Sequence, residues 1–453
     1  MLGCEPETAT PDGICLSLNA NEKARHAAMS YEIAEVHALE VLDSRSRPTL
    51  EVSLRLSSGT QATAGVPSGA STGTREAVEL RDGDPKRFKG AGVTKAAGHV
   101  NAEINKLLAG RSWASLADID KAMIDLDGTE NKARLGANAI VGTSMAAARA
   151  MAMADGQPLY RWLSPKGAEL RLPVPHFNVV NGGAHAQNDL ELQEFMLAPI
   201  GLPSFAEALR AGAEVYQALR AILHSRKHST GLGDEGGFAP NLGTPEEVLD
   251  LLVEAISSAG YAPGREGVAI ALDPAASEMH EADGTYRYSP GRRLTTDQLI
   301  ERYETLISTY PIWSIEDGLA EDDWTGWEKL TARLGGRAQL MGDDIFVTNP
   351  SIIREAISRK VGNSALIKLN QIGTVTETLE AIAICKEAGY TQMVSHRSGE
   401  TPDSFIADLA VAVGCGQLKT GAPARGERVA KYNRLLAIEA ELPSAPYGLP
   451  VGS

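Results

Sequence analysis

The chain has 453 residues, 43% of them hydrophobic, with a net charge of −15 and a pI near 5.2. That length is too great for one small domain, and the apolar fraction is enough to bury a sizeable core. The acidic balance argues against nucleic acid or an anionic membrane surface as main partner, yet an anionic small substrate remains compatible with a cleft of locally opposite charge.

The four cysteines, Cys4, Cys15, Cys385 and Cys415, form no C-x-x-C pair, which speaks against a zinc site or redox dithiol. So few in a long chain fit a reducing, cytoplasmic compartment. No apolar run reaches the roughly 18 residues of a membrane span. Residues 1–28 lack the basic–apolar–small order of a signal peptide and read as a flexible extension, with Met29 as an alternative start.

Residues 31–65 alternate apolar and polar positions, which predicts an antiparallel meander. From about 75 to 160 the pattern turns helical and alanine-rich, as in "GANAIVGTSMAAARAMAMADG". Strands followed by helices predict a small α+β domain over 29–165. The stretch "LSPKGAELRLPVP" marks a boundary, and 170–453 forms the second unit. There, apolar runs alternate with helices opened by capping boxes: Ser204 with Glu207, Thr244 with Glu247, Thr295 with Gln298.

The runs themselves end in ionisable groups. "VAIALD" ends at Asp273, "IWSIED" at Glu316 and Asp317, and "AQLMGDD" at Asp343 and Asp344. "SALIKLN" carries Lys368, "TQMVSHRS" ends at His396, Arg397 and Ser398, and "CGQLKTG" carries Lys419. From Glu316 to Lys419 these positions recur every 23 to 28 residues, one strand plus one helix each. Ionisable groups at successive strand ends are the pattern of a barrel active site.

Asp273, Glu316 and Asp343 offer hard oxygen ligands from three separate elements, which suits Mg²⁺, although any one of them also reads as a helix cap. Lys368 inside an apolar strand is either a paired structural lysine or a base whose pKa is lowered by neighbouring positive charge. Arg397 and Lys419 suit a phosphate, the arginine bidentately. The stretch "GLGDEGGFAP" (231–240) sets Asp234 and Glu235 among glycines, as a surface turn also would. "VPSGASTGTRE" (66–76) suits a loop that closes over a site.

These strings carry a resemblance to the enolase family, from about residue 31 to 442. "LDSR", "VPSGASTG", "LGANAI", "NGGAHA", "QEFM", "GDEGGFAPN", "ALDPAASE" (matched except at Pro274), "SIEDGLAEDDW", "GDD", "KLNQIGT", "SHRSGET" and "KTGAPARGER" all match it in order. The resemblance implies a small N-terminal α+β domain followed by a modified TIM-type (β/α)8 barrel with an irregular first part. It implies reversible dehydration of 2-phosphoglycerate to phosphoenolpyruvate, in glycolysis and gluconeogenesis, with two Mg²⁺ ions. Lys368 would be the base and Glu235 the acid. Asp273, Glu316 and Asp343 would hold the first metal, and Ser71 the second, which arrives with substrate. His185, Gln193, Glu194, His396, Arg397, Ser398 and Lys419 would contact substrate. Members form homodimers or homo-octamers.

The chain departs from the family at "SRSRPT", where Ser46 and Arg47 replace Gly and Asn and put the turn geometry in question. It also departs at Trp313, where a smaller apolar residue is usual. Strand alternation predicts that Trp313 faces outward with Ile315, against helices and away from the pocket. Two other readings compete. A differently specialised superfamily member would take its base from an early K-x-K pair, but "QEFM" stands there. A non-catalytic paralogue with a binding role would have lost a ligand or the acid–base pair.

Overall fold

The computed structural model describes residues 30–69, 72–186, 188–289 and 291–450. The 1–28 extension and Ser71 lie outside them. Alternating burial along Tyr31–Leu42 (β1), Pro48–Leu56 (β2) and Gln61–Gly65 (β3) yields the expected antiparallel meander. Arg111–Trp113 (β4) completes the sheet in the order β3-β2-β1-β4. The "SRSRPT" turn closes with Ser46 in the left-handed region, φ 59°. Asp43 holds it, its Oδ1 accepting from the backbone N–H of Arg45 at 2.8 Å and of Arg47 at 2.9 Å. A serine tolerates a conformation that glycine adopts freely.

The apolar face of this sheet covers the helix Ala137–Ala154, every residue of which is buried from Ala137 to Ala148. Close approach depends on Gly142: a Cβ there would meet Val52 Cγ2 at 2.6 Å. The helix is covered on its other side by the second unit, where Ser144 Oγ accepts from Val375 N at 3.0 Å. Nearby, the buried Asp120 accepts from the Thr376 hydroxyl at 2.6 Å.

Eight strands close the barrel. In chain order they are Val174–Asn181 (β5), Glu194–Ala198 (β6), Ala269–Asp273 (β7), Ile312–Glu316 (β10), Gln339–Gly342 (β11), Ser364–Ile367 (β12), Thr391–Ser395 (β13) and Gln417–Lys419 (β14). A hairpin of Tyr286–Ser289 (β8) and Arg292–Leu294 (β9) stands apart from it. β6 runs antiparallel to both neighbours, β5 and β7, and the remaining barrel pairs are parallel. The cause is in the chain order: β5 returns directly into β6, and two helices, Phe205–Ser225 and Pro245–Ser258, follow before β7. The register pairs Glu194 with Asp273, so the start of β6 meets the end of β7 at one rim. Thr244 and Thr295 form full capping boxes. Ser204 accepts from Glu207 N, and Glu439 of the last helix accepts from the N–H groups of Phe205 and Ala206.

Inward-facing side chains fill the barrel below the rim. Gln339 and Gln417 reach across two intervening strands and exchange hydrogen bonds of 3.1 and 3.0 Å. Trp313 corrects the outward placement. It packs with Val174, Met196, Ala198, Ala269 and Ala271 on the barrel floor. The register against β7 shifts between Ile312 and Ser314, and this bulge inverts the alternation that placed Trp313 with Ile315. No helix among the described residues is long and apolar enough to cross a membrane.

Candidate active site

Short apolar strands in a closed barrel bring their last residues to one end, where the side chains converge. A cavity of about 290 Å³ opens there, lined by His185, Gln193, Glu194, Glu235, Asp273, Asp343, Lys368, His396, Arg397, Ser398 and Lys419. Glu316 lies beneath it, 1% exposed. The predicted residues therefore come together, except Ser71, which lies outside the described residues.

Two lysines organise the floor. Lys419 Nζ lies 2.7 Å from Glu316 Oε1, 2.9 Å from Glu194 Oε2 and 3.0 Å from Asp273 Oδ2. Burial opposes its charge, but the three carboxylates outweigh burial and raise its pKa well above the usual value. Lys368 follows β12 and contacts Asp343 Oδ2 at 2.5 Å. The sequence reading lowers the pKa of this lysine, and here it is raised. Burial is the largest influence and acts downward with Arg397 and Lys419, while Asp343 and Glu316 act upward, and the net shift is up.

Asp273, Glu316 and Asp343 share this floor without forming the tightest cluster. Among the described residues, the groups whose ligand atoms lie within 4.8 Å of one another are His185–Glu194–Glu235 and Asp317–Asp343–Asp344. The donor set still fits a hard divalent cation. Three buried carboxylates line this end of the barrel, and Glu316 Oε2 has no hydrogen-bond partner among the described residues. Burial and then Asp273 push the Glu316 carboxyl well above the usual range, against the lowering pull of Lys419.

Glu235, 2% exposed, lines the same cavity as Lys368. Its loop is stitched to the barrel: Ala422 N donates to Glu235 O at 2.9 Å, and Asn178 Nδ2 donates to Glu235 Oε2 at 3.0 Å. His396 Nε2 lies 3.1 Å from Oε2, and His185 Nδ1 lies 3.9 Å from Oε1. Burial opposes the charge on Glu235, but His396, His185 and Arg428 around it hold the carboxyl well below the usual range. Burial drives His396 itself down to about 3, so its ring is neutral. His185 goes the other way: burial opposes its charge, and Glu235 and Glu194 overcome it.

Several residues that hold this site were not singled out from sequence. Glu76 binds Arg397 bidentately at 2.8 and 3.1 Å. Gln371 donates to Asp343 Oδ1 at 2.8 Å. Arg45 spans Gly69 O at 3.0 Å and Ser398 Oγ at 3.3 Å, tying the 66–76 loop to the barrel rim. Glu76, Gln371 and Arg428 all lie within strings quoted above, "VPSGASTGTRE", "KLNQIGT" and "KTGAPARGER". A second cavity of about 760 Å³, lined by Gly69, Thr72, Glu76 and Asn370, shares Arg397 with the first.

Comparison with known proteins agrees with this geometry. The family model "Enolase, C-terminal TIM barrel domain" matches residues 169–448, and "Enolase, N-terminal domain" matches 33–163. A curated relative named "Enolase" from Rubrobacter xylanophilus is 56% identical over 415 residues, covering 91% of this chain and 96% of that protein. With both domains matched, the barrel closed and the candidate residues gathered at one end of it, the chain belongs to the enolase family of lyases.

Proposed function

We propose that this enolase interconverts 2-phosphoglycerate with phosphoenolpyruvate and water, using Lys368 and Glu235 as the proton-transferring pair. The observation that carries the reading is their placement: a lysine following β12 and a glutamate on the 231–240 loop line one small cavity. In dehydration, Lys368 Nζ takes the proton from C2, and Glu235 gives a proton to the departing C3 hydroxyl. In hydration the roles reverse: Glu235 takes a proton from water and Lys368 delivers one to C2.

Asp273, Glu316 and Asp343 would hold a Mg²⁺ ion, with Ser71 a ligand of a second. Bound there, the ions supply positive charge for a substrate carboxylate that gains negative charge, and they compete with Lys368 for Asp343. Arg397, braced by Glu76, is suited to the phosphate, and His185, Gln193, Glu194, His396, Ser398 and Lys419 to the rest of the substrate. Gln193 Oε1 is buried without a partner, an acceptor available to a substrate hydroxyl. The acid–base pair and the three carboxylates of the first metal site are present, and nothing favours the non-catalytic alternative.

The reading extends to a domain boundary between 165 and 170, a homodimer or homo-octamer, and a cytoplasmic location. Support for the last is that Cys385 and Cys415 are buried free thiols. Ultraviolet detection of phosphoenolpyruvate formed from 2-phosphoglycerate tests the activity. Absence of product at saturating Mg²⁺ refutes it.

A further inference from the structure

Arg428 is fully buried, yet it is not held as buried arginines usually are, by a facing carboxylate. Among the described residues, the one carboxylate within 4 Å is its neighbour Glu427, 3.5 Å from Nε. The guanidinium instead gathers three backbone carbonyls from two segments, and one imidazole. Nη1 donates to Arg397 O at 2.7 Å and lies 2.6 Å from His396 Nδ1. Nη2 donates to Ser398 O at 2.5 Å and to Asp234 O at 3.2 Å. Four N–H groups thus meet four acceptors, and one of those acceptors is a ring nitrogen.

That nitrogen has no choice of state. A guanidinium has donors only and stays protonated in proteins, so His396 Nδ1 must present its lone pair. The ring proton then sits on Nε2, the nitrogen 3.1 Å from Glu235 Oε2 at the cavity wall. A doubly protonated ring is excluded, because its Nδ1–H would face an N–H. The opposite neutral tautomer would turn a lone pair toward the Glu235 carboxylate. The charged groups facing the ring are Glu235, Arg428 and Lys419.

We propose that Arg428 is a positioning residue for the reaction. It locks His396 as the neutral Nε2–H tautomer and ties the Glu235 loop, through Asp234 O, to the loop of His396, Arg397 and Ser398. The proposal rests on the reading of Glu235 as the proton carrier. A neutral ring keeps Nε2 3.1 Å from Glu235 Oε2 without adding a further positive charge to those of His185 and Arg428, which already hold this carboxyl down. A cationic His396 would strengthen that hold. Orientation of an imidazole by the partner of its second nitrogen is a general device of acid–base sites.

The test is ring-¹⁵N NMR of histidine-labelled, full-length protein without substrate, with the His396 signals identified by their loss in His396→Gln. We expect one bare Nδ1 and one protonated Nε2, unchanged between about pH 5 and 8, the range in which an ordinary histidine titrates. Arg428→Met removes the donor while keeping bulk. His396 should then mix tautomers or titrate, and kcat should fall roughly 10- to 100-fold, as for other orienting partners, with KM changed much less. Arg428→Gln keeps an N–H for Nδ1 and should restore the tautomer and part of kcat. A protonated Nδ1 in the unmutated protein overturns the proposal, as does an Arg428→Met variant with unchanged ring signals and rate. The spectrum of the unmutated protein is decisive even where a variant does not fold. Failure of the Glu235 assignment would instead appear in the hydrogen-exchange experiment below and leave the tautomer signals untouched.

Discussion

Lys368 and Glu235 line one cavity, and on the proposed assignment of base and acid their substitutions should fail differently. Lys368→Ala removes the base, so both product formation and exchange of the C2 hydrogen with solvent should vanish. Glu235→Gln leaves the base in place, so exchange in deuterated water should persist while dehydration falls about 10⁴-fold, the upper end for a positioned acid and apt for a poor leaving group. Exchange that survives only in Lys368→Ala would show the roles reversed. These two residues were legible because each stands out locally: a lysine closing an apolar run, an acid among glycines. Asn178, Glu76, Gln371 and Arg428 were not, because each acts on a partner far away in the chain. Glu76 is 321 residues from Arg397 and Asn178 is 57 from Glu235. The direction of the Lys368 shift was also hidden, since it depends on a 2.5 Å approach to Asp343 that spacing does not encode.

At the level of elements, the meander, the helix caps and the strand ends follow from period and punctuation, and the structure reproduces them. The bulge in β10 does not follow, because an added residue leaves no mark in an apolar run. Its effect is measurable. Trp313→Ala should open a void on the barrel floor and cost about 3–5 kcal/mol in urea unfolding, with kcat little changed because the rim residues keep their strands. The contact of helix Leu116–Asp127 with helix Val375–Glu387 makes a second case. Burial raises the Asp120 carboxyl from 3.8 to about 6, against the opposing hydrogen bonds of Thr376 and Ser144. The folded protein therefore binds the proton more tightly than the unfolded chain, and stability falls as pH rises from about 4 to 6, by up to about 3 kcal/mol from this group. Asp120→Asn should remove that slope. Unfolding midpoints of the two proteins should diverge in favour of the variant toward pH 7 and converge near pH 4, and parallel curves would show that Asp120 ionises normally.

Across the whole molecule, cation binding and folding are linked, because only the folded barrel assembles Asp273, Glu316 and Asp343. Added Mg²⁺ should raise Tm by the logarithmic dependence expected of a ligand that binds only the folded state, and chelation should reverse this and abolish turnover. Asp343→Asn should blunt the thermal shift, read by calorimetry without any assay of activity. The reciprocal amide pair of Gln339 and Gln417 bears on how such a barrel assembles. Its partners are 78 residues apart and stand on non-adjacent strands, so they meet only across a finished interior. A partly closed sheet that leaves out β14 keeps the bonds of Gln339 to Ser314 Oγ and Thr391 Oγ1 but lacks the pair with Gln417. That pair, worth about 1 kcal/mol per hydrogen bond, is gained only with the last strand. β14 also pairs with β5, which lies some 240 residues earlier in the chain. Closing the ring thus joins the two ends of the second unit, and a chain cut before β14 should expose the unpaired edges of β5 and β13 and aggregate rather than form a smaller barrel, as light scattering would show.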